Sequence, residues 1–501
     1  MAISKVLVDE AGVVETFGVT EPLSVTCATP RDEAETKELL AYLDQAAPAE
    51  SEEGWRERWE ALVDLEQKVS DWLVSECGVN PEELDDGHSV CRVLTFGSFR
   101  LGILRPTSDI DTLVLIPSSV SRDRFFTDFI SRILTADVGV TECVPVTDAR
   151  VPIAKVKFRG IFLDILVASV PASHIKVGME SVDDSLIFMV DEKCMKSMNG
   201  IRVADKILRL VPDPATFREA TRLVKHWAQR RCVYSNSVGY FGGVSWSMAV
   251  ARVCQLYPNF SAKQIVERFF YTFANWPWEE NRPILLCSPT EVRLPRGTVP
   301  GGQFKDWNPS RYASDRYQVM PVITPIFPSH NTTYNVTETQ KQVMVDEIRR
   351  GKEMVQLMSL SGGDIGWADL CAPLEFFSNF STFLRLTVSA LKVDELARFK
   401  GLVESRVRSL VKCVEQLDKR VLVRPHPDFF PNLPPAIAGS FFMGIAFTGA
   451  PGTQIDLKPA VQQFISDTME KSLAECGETD GLRLEIQCVD DCAGVECSGK
   501  A

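Results

Sequence analysis

No stretch of this chain approaches the ~20 consecutive apolar residues that a membrane-crossing helix needs. Its longer apolar runs, such as residues 441–447, stop far short of that. The first residues, Met1-Ala2-Ile3-Ser4-Lys5-Val6, lack the charged end and apolar stretch of a signal peptide, so an intracellular address is expected. The 14 cysteines have no short regular spacing, which points to reduced, buried thiols and away from a disulfide framework. One local cluster, Cys488, Cys492 and Cys497, has no matching histidine or second cysteine pair, and a zinc site is not expected there. Without secretion, the glycosylation-type triplets at Asn259, Asn331, Asn335 and Asn379 carry no weight. Excess basic charge is also missing. A net charge of -13 excludes a protein that coats nucleic acid with its whole surface, so any such site is a local basic groove. There is no Gly-x4-Gly-Lys-Ser/Thr loop for phosphate, no internal repeat and no low-complexity run.

What remains is a globular composition, 45% hydrophobic and 24% charged, in a 501-residue chain long enough for about three domains. Residues 30–44 read as a helix with an acidic start. Residues 52–79 read as an amphipathic core helix through Trp55, Trp59, Leu62, Leu65 and Val69. A compact mixed α/β unit follows, with strands at 91–96 and 109–116, a helix at 122–134, and a hairpin of 153–158 and 161–167 about Arg159-Gly160. Residues 217–257 are helical, interrupted at Gly239-Tyr240-Phe241-Gly242-Gly243. Opposite their apolar face runs a stripe of Arg218, Arg222, Lys225 and Gln229, which faces water or an anion. Residues 276–328, rich in Pro and Trp, read as an irregular wrap. Past a helix near Gln340, helices at 404–416 and 460–471 alternate with strands at 421–423, 441–447 and 482–486, the order of a small α/β sandwich.

The chemistry concentrates in three places. Gly97-Ser98 forms a turn where glycine lets backbone N–H groups approach phosphate and serine adds a hydroxyl donor. Asp109 and Asp111 alternate on a strand and project to one face, while Ile110 turns into the core. Asp164 lies within the apolar run 161–167, where a charge must be paired or bound. On its own Asp164 reads equally as a structural ion-pair or hydrogen-bond partner. Together, three carboxylates facing one turn are what a nucleoside triphosphate held through magnesium requires, and their repulsion calls for cations. Two such ions would serve nucleotidyl transfer, one activating a hydroxyl and one neutralising the triphosphate.

Thr95-Phe96-Gly97-Ser98-Phe99-Arg100-Leu101-Gly102, Asp109-Ile110-Asp111, Tyr234-Ser235-Asn236, Gly242-Gly243-Val244-Ser245-Trp246, residues 251–259, Ser314-Asp315-Arg316-Tyr317, Met320-Pro321, Ile323-Thr324-Pro325 and Thr333-Tyr334-Asn335-Val336 together resemble a eukaryotic nuclear-type poly(A) polymerase. The resemblance covers about residues 17–345; beyond that it rests on pattern and on Gly401-Leu402-Val403-Glu404-Ser405. It implies a multidomain α/β fold. A polymerase-β-like nucleotidyltransferase palm would comprise residues 1–19 and 55–198, a helical middle domain 20–54 and 199–345, and an RRM-like α/β domain 346–501. It implies Asp109, Asp111 and Asp164 as ligands of magnesium or manganese. The nucleotide-binding positions it implies are Phe96, Gly97, Ser98, Lys225, Tyr234, Gly243 and Val244, with Val151 and Asn199 near the adenine.

The activity so implied is template-independent addition of AMP from ATP to an RNA 3′ end with release of pyrophosphate. The implied partners are RNA and pre-mRNA 3′-end processing factors, with no membrane, a monomeric state, and a nuclear address with the cytoplasm as alternative. Two other readings stand beside it: a nucleotidyltransferase with another base or acceptor preference, and a catalytically inactive RNA-processing scaffold. The chain departs from the family where Gln229 replaces a second lysine and where Arg150 replaces an aromatic residue near the adenine; Leu104-Arg105-Pro106-Thr107-Ser108 also differs. Arg105 or Arg150 could restore the charge. No Ser/Thr-rich and Lys/Arg-rich tail follows the last domain, so no import signal is read. Arg406, Arg408, Lys412, Lys419, Arg420 and Arg424 form either an RNA contact or a solvated face. The terminal domain lacks an aromatic RNP block, so weak intrinsic RNA affinity and delivery by partners are expected.

Overall fold

A computed structural model of the chain describes residues 16–147, 151–288, 304–418, 420–433, 435–447, 455–476 and 481–490. Arg150, Lys419, Cys492 and Cys497 lie outside them. Two helices come first. α1 (Pro30–Ala46) is started by a capping box between Thr29 and Asp32, and α2 (Glu52–Ser75) by the Ser51 side chain. α2 stops short of Val79 because Gly78 takes a left-handed conformation beyond its end. Its buried arc holds Leu62, Leu65, Val69 and Trp72, but Trp59, read as part of that arc, is 59% exposed on its flank. Arg58 occupies the core side instead and pairs with Glu50 at 2.7 Å.

The next segment builds a five-stranded sheet. β1 (Arg92–Thr95), α3 (Gly97–Leu101), β2 (Ile110–Pro117), α4 (Arg122–Arg124, continued as π-helical turns over Phe125–Leu134), β3 (Val140–Val146), β4 (Ile153–Phe158) and β5 (Ile161–Val170) follow in order. The sheet order is β1-β2-β5-β4-β3, with β2 and β5 parallel and the other pairs antiparallel. β3 carries only half-buried and exposed residues, and sequence reading passed it over. One sheet face packs on α2 and α4 through Trp72, Phe125 and Phe129; the other carries the cleft.

α5 (Glu192–Leu210), α6 (Pro214–Arg230), α7 (Gly243–Leu256), α8 (Ala262–Ala274), α9 (Ala313–Arg316), α10 (Glu338–Leu360) and α11 (Trp367–Leu370) make the helical middle of the molecule. Trp227, Trp246, Phe269 and Phe270 meet edge to face or tilted in its core, where Leu39 and Leu43 of α1 also bury. The break between α6 and α7 starts at Arg231, well before the glycines that signal it, because Cys232 turns the chain at φ 54°.

β6 (Thr382–Ser389), α12 (Val393–Leu417), β7 (Val421–Pro425), β8 (Phe430–Pro431), β9 (Ala438–Phe447), α13 (Lys458–Cys476) and β10 (Arg483–Val489) complete the chain. The antiparallel order β10-β6-β9-β7, with α12 and α13 as crossovers, is the expected RRM-like sandwich. β6, at its centre, is absent from the sequence reading, and α12 starts eleven residues before the helix read at Glu404.

A buried ion network ties this last unit to the helical middle. Glu347 of α10 accepts from Arg231 Nε at 2.8 Å and from Arg424 Nη2 of β7 at 2.9 Å, and Arg424 also donates to the Arg231 carbonyl. Glu347→Ala leaves two guanidinium groups without their carboxylate and is expected to cost about 3–5 kcal/mol in urea unfolding. A loss under 1 kcal/mol, within the range of exposed ion pairs, would show that the network does not hold the two units together.

Candidate active site

The parallel pairing of β2 with β5 decides the geometry. Asp111 lies directly opposite Asp164 in register, and Lys155 of β4 lies opposite Asp164 on its other side. In-register residues of paired strands share a face, so Lys155, Asp164 and Asp111 form one row across the sheet. Asp109 stands just before β2, exposed at the cleft. Burial pushes the Asp111 carboxyl up to about 7, with Asp109 and Asp164 adding repulsion. Burial raises Asp164 to about 6, against the pull of Lys155.

Gly97 begins α3 opposite this row at φ 59°, and a Cβ there would fall 1.8 Å from Asp111 Oδ2. Both the backbone conformation and the carboxylate therefore demand glycine. No side chain caps the start of α3. The chain is held just before it by the Phe96 N–H donating to the Asp111 carbonyl, and at its far end by Arg218 Nε of α6 donating to Leu101 O at 2.9 Å. The Phe96 ring lies against α5 where Gly200 leaves room; a Cβ at Gly200 would meet the ring at 2.5 Å. Val151 packs in the same apolar cluster as Phe96. Asn199, the neighbour of Gly200, is buried and fixed by Arg202 Nη1 donating to its Oδ1 at 2.8 Å.

Across the cleft, Lys225 Nζ sits 5.9 Å from the centre of the Tyr234 ring. Burial lowers the Lys225 ammonium to about 8, against the attraction of Asp111. Burial raises the Tyr234 hydroxyl above its ordinary value. At the start of α7, a Cβ on Gly243 would come 2.6 Å from the Tyr234 hydroxyl, and Val244 follows it at the cleft wall. Of the basic stripe, Lys225 is the residue that feels the attraction of Asp111 and Asp109. Arg218 caps α3, Arg222 donates to Asp44 and to the Ala47 carbonyl, and Gln229 accepts from Arg105 Nη1 at 2.7 Å. The stripe is thus the seam between the two units and not a solvated face.

Arg105 faces the same cleft, and burial lowers its pKa. Its loop is anchored by Arg58, whose guanidinium donates to the Ser108 and Pro106 carbonyls at 2.8 and 2.7 Å. Sequence reasoning missed Arg58, which sits on an apolar helix arc and signals a partner only by being charged there. It also missed Lys155, which alternation on β4 places beside Asp164. Among the candidate RNA contacts, Arg424 is committed to Glu347, Arg420 pairs with Asp418, and Arg406 donates to Thr468 on α13.

The cleft, about 2910 Å³, is lined by all three units and by each of the twelve residues that sequence reading put forward. Asp111 and Asp164, both less acidic than usual chiefly through burial and with Asp109 beside them, suit a hard divalent cation that displaces their protons. Among the described residues no three His, Cys, Asp or Glu side chains are gathered closely enough to enclose an ion alone. Phosphate oxygens of a nucleotide are the natural further donors.

Comparison with known proteins agrees over most of the chain, from residue 18 to residue 436. Sequence profiles described as poly(A) polymerase nucleotidyltransferase domain, poly(A) polymerase central domain and poly(A) polymerase predicted RNA binding domain match residues 18–211, 216–373 and 375–436. The chain is 38% identical over 455 residues to nuclear poly(A) polymerase 1 of Arabidopsis thaliana, covering 89% of this chain and 62% of that one. It is 36% identical over 422 residues to poly(A) polymerase PAPa of Candida albicans, covering 83% and 73%. With poly(A) polymerase pla1 of Schizosaccharomyces pombe it shares 37% over 418 residues, covering 82% and 70%. The chain thus spans less than two thirds of the Arabidopsis relative's length.

The carboxylate row has a pH signature. Asp111 binds its proton more tightly folded than unfolded, where an aspartate titrates near ~3.9. The native state then holds the extra proton between these values, and this residue's contribution to stability falls as pH rises from about 4 to about 7. In metal-free protein, the stability gain of Asp111→Asn over wild type is expected to grow across that window and level off above it. Magnesium at pH 8 is expected to stabilise wild type and not the variant. Parallel stability curves for the two proteins would show that the row is not strained.

Proposed function

The chain belongs to the poly(A) polymerase family, and from that premise we propose that it adds AMP from ATP to RNA 3′-hydroxyl ends without a template, releasing pyrophosphate. The observation that carries this reading is the in-register pair Asp111 and Asp164, facing Gly97 on one side and Lys225 across the cleft. Asp109, Asp111 and Asp164 are the residues that would hold magnesium or manganese. Divalent ions bound there supply neutralisation of the triphosphate and of the leaving pyrophosphate, and lower the pKa of the attacking hydroxyl. In this reading Gly97 and Ser98 offer backbone and hydroxyl donors to phosphate oxygens, and the Lys225 ammonium is restored to full charge by the polyphosphate beside it. Tyr234, Gly243 and Val244 border the sugar and phosphates, while Phe96, Val151 and Asn199 border the base. The protein's share of the rate is then positioning and electrostatics.

We place the division of labour as the sequence reading has it, with a palm of residues 1–19 and 55–198, a helical middle of 20–54 and 199–345 that closes over ATP, and an RNA-holding domain from 346. A monomer working with 3′-end processing factors is part of the same reading. So is a nuclear address, supported by the likeness to nuclear poly(A) polymerase 1 of Arabidopsis thaliana.

Base choice is the step most open to this chain's departures, since Gln229 is engaged by Arg105. With labelled RNA and each of the four nucleotides in turn, ATP is expected to be incorporated fastest. Asp111→Asn is expected to lower AMP addition at least about a hundredfold with the fold retained by circular dichroism. Faster UMP addition would favour a uridylyl transferase, and undiminished activity of the variant would remove the carboxylate row from the reaction.

A further inference from the structure

Outward from Asp164, the same strand face ends in an aromatic side chain that the reaction described so far does not use. Leu163 and Ile165 are buried beneath the sheet, so Phe162 and Asp164 share its cleft side. Phe162 is 47% exposed, and Lys157 Nζ lies 4.8 Å from its ring centroid. The cross-strand register repeats a pattern: Lys155 lies opposite Asp164 and Lys157 opposite Phe162. One strand further out, Glu142 lies opposite Lys157, its Oε1 3.5 Å from the ammonium. A half-exposed ring with one lysine ammonium over it and a second lysine one register step nearer the carboxylates, on the cleft side of the sheet, offers a base surface and charges for phosphates at once.

Resting on the reading of RNA as acceptor, we infer that Phe162 is a stacking platform for one of the last two bases of the acceptor strand, with Lys155 and Lys157 facing its phosphates. Two residues of strand separate the ring from Asp164, about 6.6 Å, which keeps the platform within roughly a nucleotide of the reacting hydroxyl. Stacking on a phenyl ring accepts any base, since every base has a π face. That tolerance suits an enzyme whose acceptor starts with whatever base the transcript ends on and becomes adenine after one addition. The cleft side of the sheet thereby holds the strand end while the terminal domain holds the body of the RNA.

The test uses the full chain with a short oligoadenylate primer. Phe162→Ala is expected to raise KM for the primer about tenfold, while KM for ATP and kcat at saturating primer stay within about twofold. Phe162→Tyr, which keeps the ring, is expected to restore the primer KM. A primer carrying 2-aminopurine at its last two positions is expected to lose fluorescence on binding wild type and to lose much less on binding Phe162→Ala, a readout independent of turnover. An unchanged primer KM with undiminished quenching in Phe162→Ala overturns the platform. Failure of the wild-type protein itself to add AMP to the primer overturns the underlying function instead, so the two failures are told apart.

Discussion

Holding like charges together away from water is the constraint on which the rest of this structure depends. Asp111 and Asp164 are neighbours on parallel strands, half-buried, with Asp109 beside them; burial holds the carboxyls of Asp111 and Asp164 above the usual range, and nearby carboxylates add to it. A sheet that brings two aspartates into register at its centre gives up stability relative to one with neutral residues there. The surrounding structure offsets that in specific ways. Lys155 lies next in the same row, Lys225 faces it from α6, and the glycine at 97 lets the chain pass within contact distance of a carboxylate oxygen. A divalent cation there would offset the remaining repulsion, with phosphate oxygens as its further donors.

Rigidity around the row comes from buried arginines more than from the sheet itself. Arg58 stitches the loop of residues 105–108 to α2 through two carbonyls while Glu50 neutralises it. Arg202 fixes Asn199 and reaches the Phe327 carbonyl, so this wall of the cleft is joined to the irregular wrap. Arg231 and Arg424 share Glu347. In each case a planar guanidinium satisfies several acceptors from separate segments at once, which lysine's point charge does not do. The net charge of -13 therefore understates how much positive charge is spent inside the molecule.

Much of the site was legible in the sequence because its logic is local. Asp-x-Asp on a strand, glycine before serine at a turn and a lone aspartate in an apolar run each state their own requirement. The parallel pairing that sets Asp164 against Asp111 was not legible, because register between strands fifty residues apart leaves no mark on either. The middle and terminal helices showed their 3.6-residue period, yet α12 was entered late because Gly401 and the exposed residues before it blur the apolar arc. β3 was passed over since it buries nothing, and β6 although Phe383, Leu384, Leu386 and Val388 are all buried. Trp59 shows the opposite error: aromatic character and helical spacing assigned it to the core, and a charged residue one position earlier took the place.

Helix α6 ties these strands of argument together. From Arg218 to Gln229 it advances about 16 Å, and every third or fourth residue along that length meets a different part of the palm or of α1. Arg218 fixes the end of α3 and hence the Gly97 turn; Arg222 reaches α1; Lys225 meets the carboxylates; Gln229 orients Arg105. Because these four groups are on one rigid rod, the distance from Lys225 to the carboxylate row is set jointly with the position of the glycine-serine turn. A tilt of α6 changes both together. The helix therefore acts as the gauge between the two walls of the cleft, and the stripe that reads as facing water or an anion is the part of the sequence that encodes how the groups on those walls are spaced.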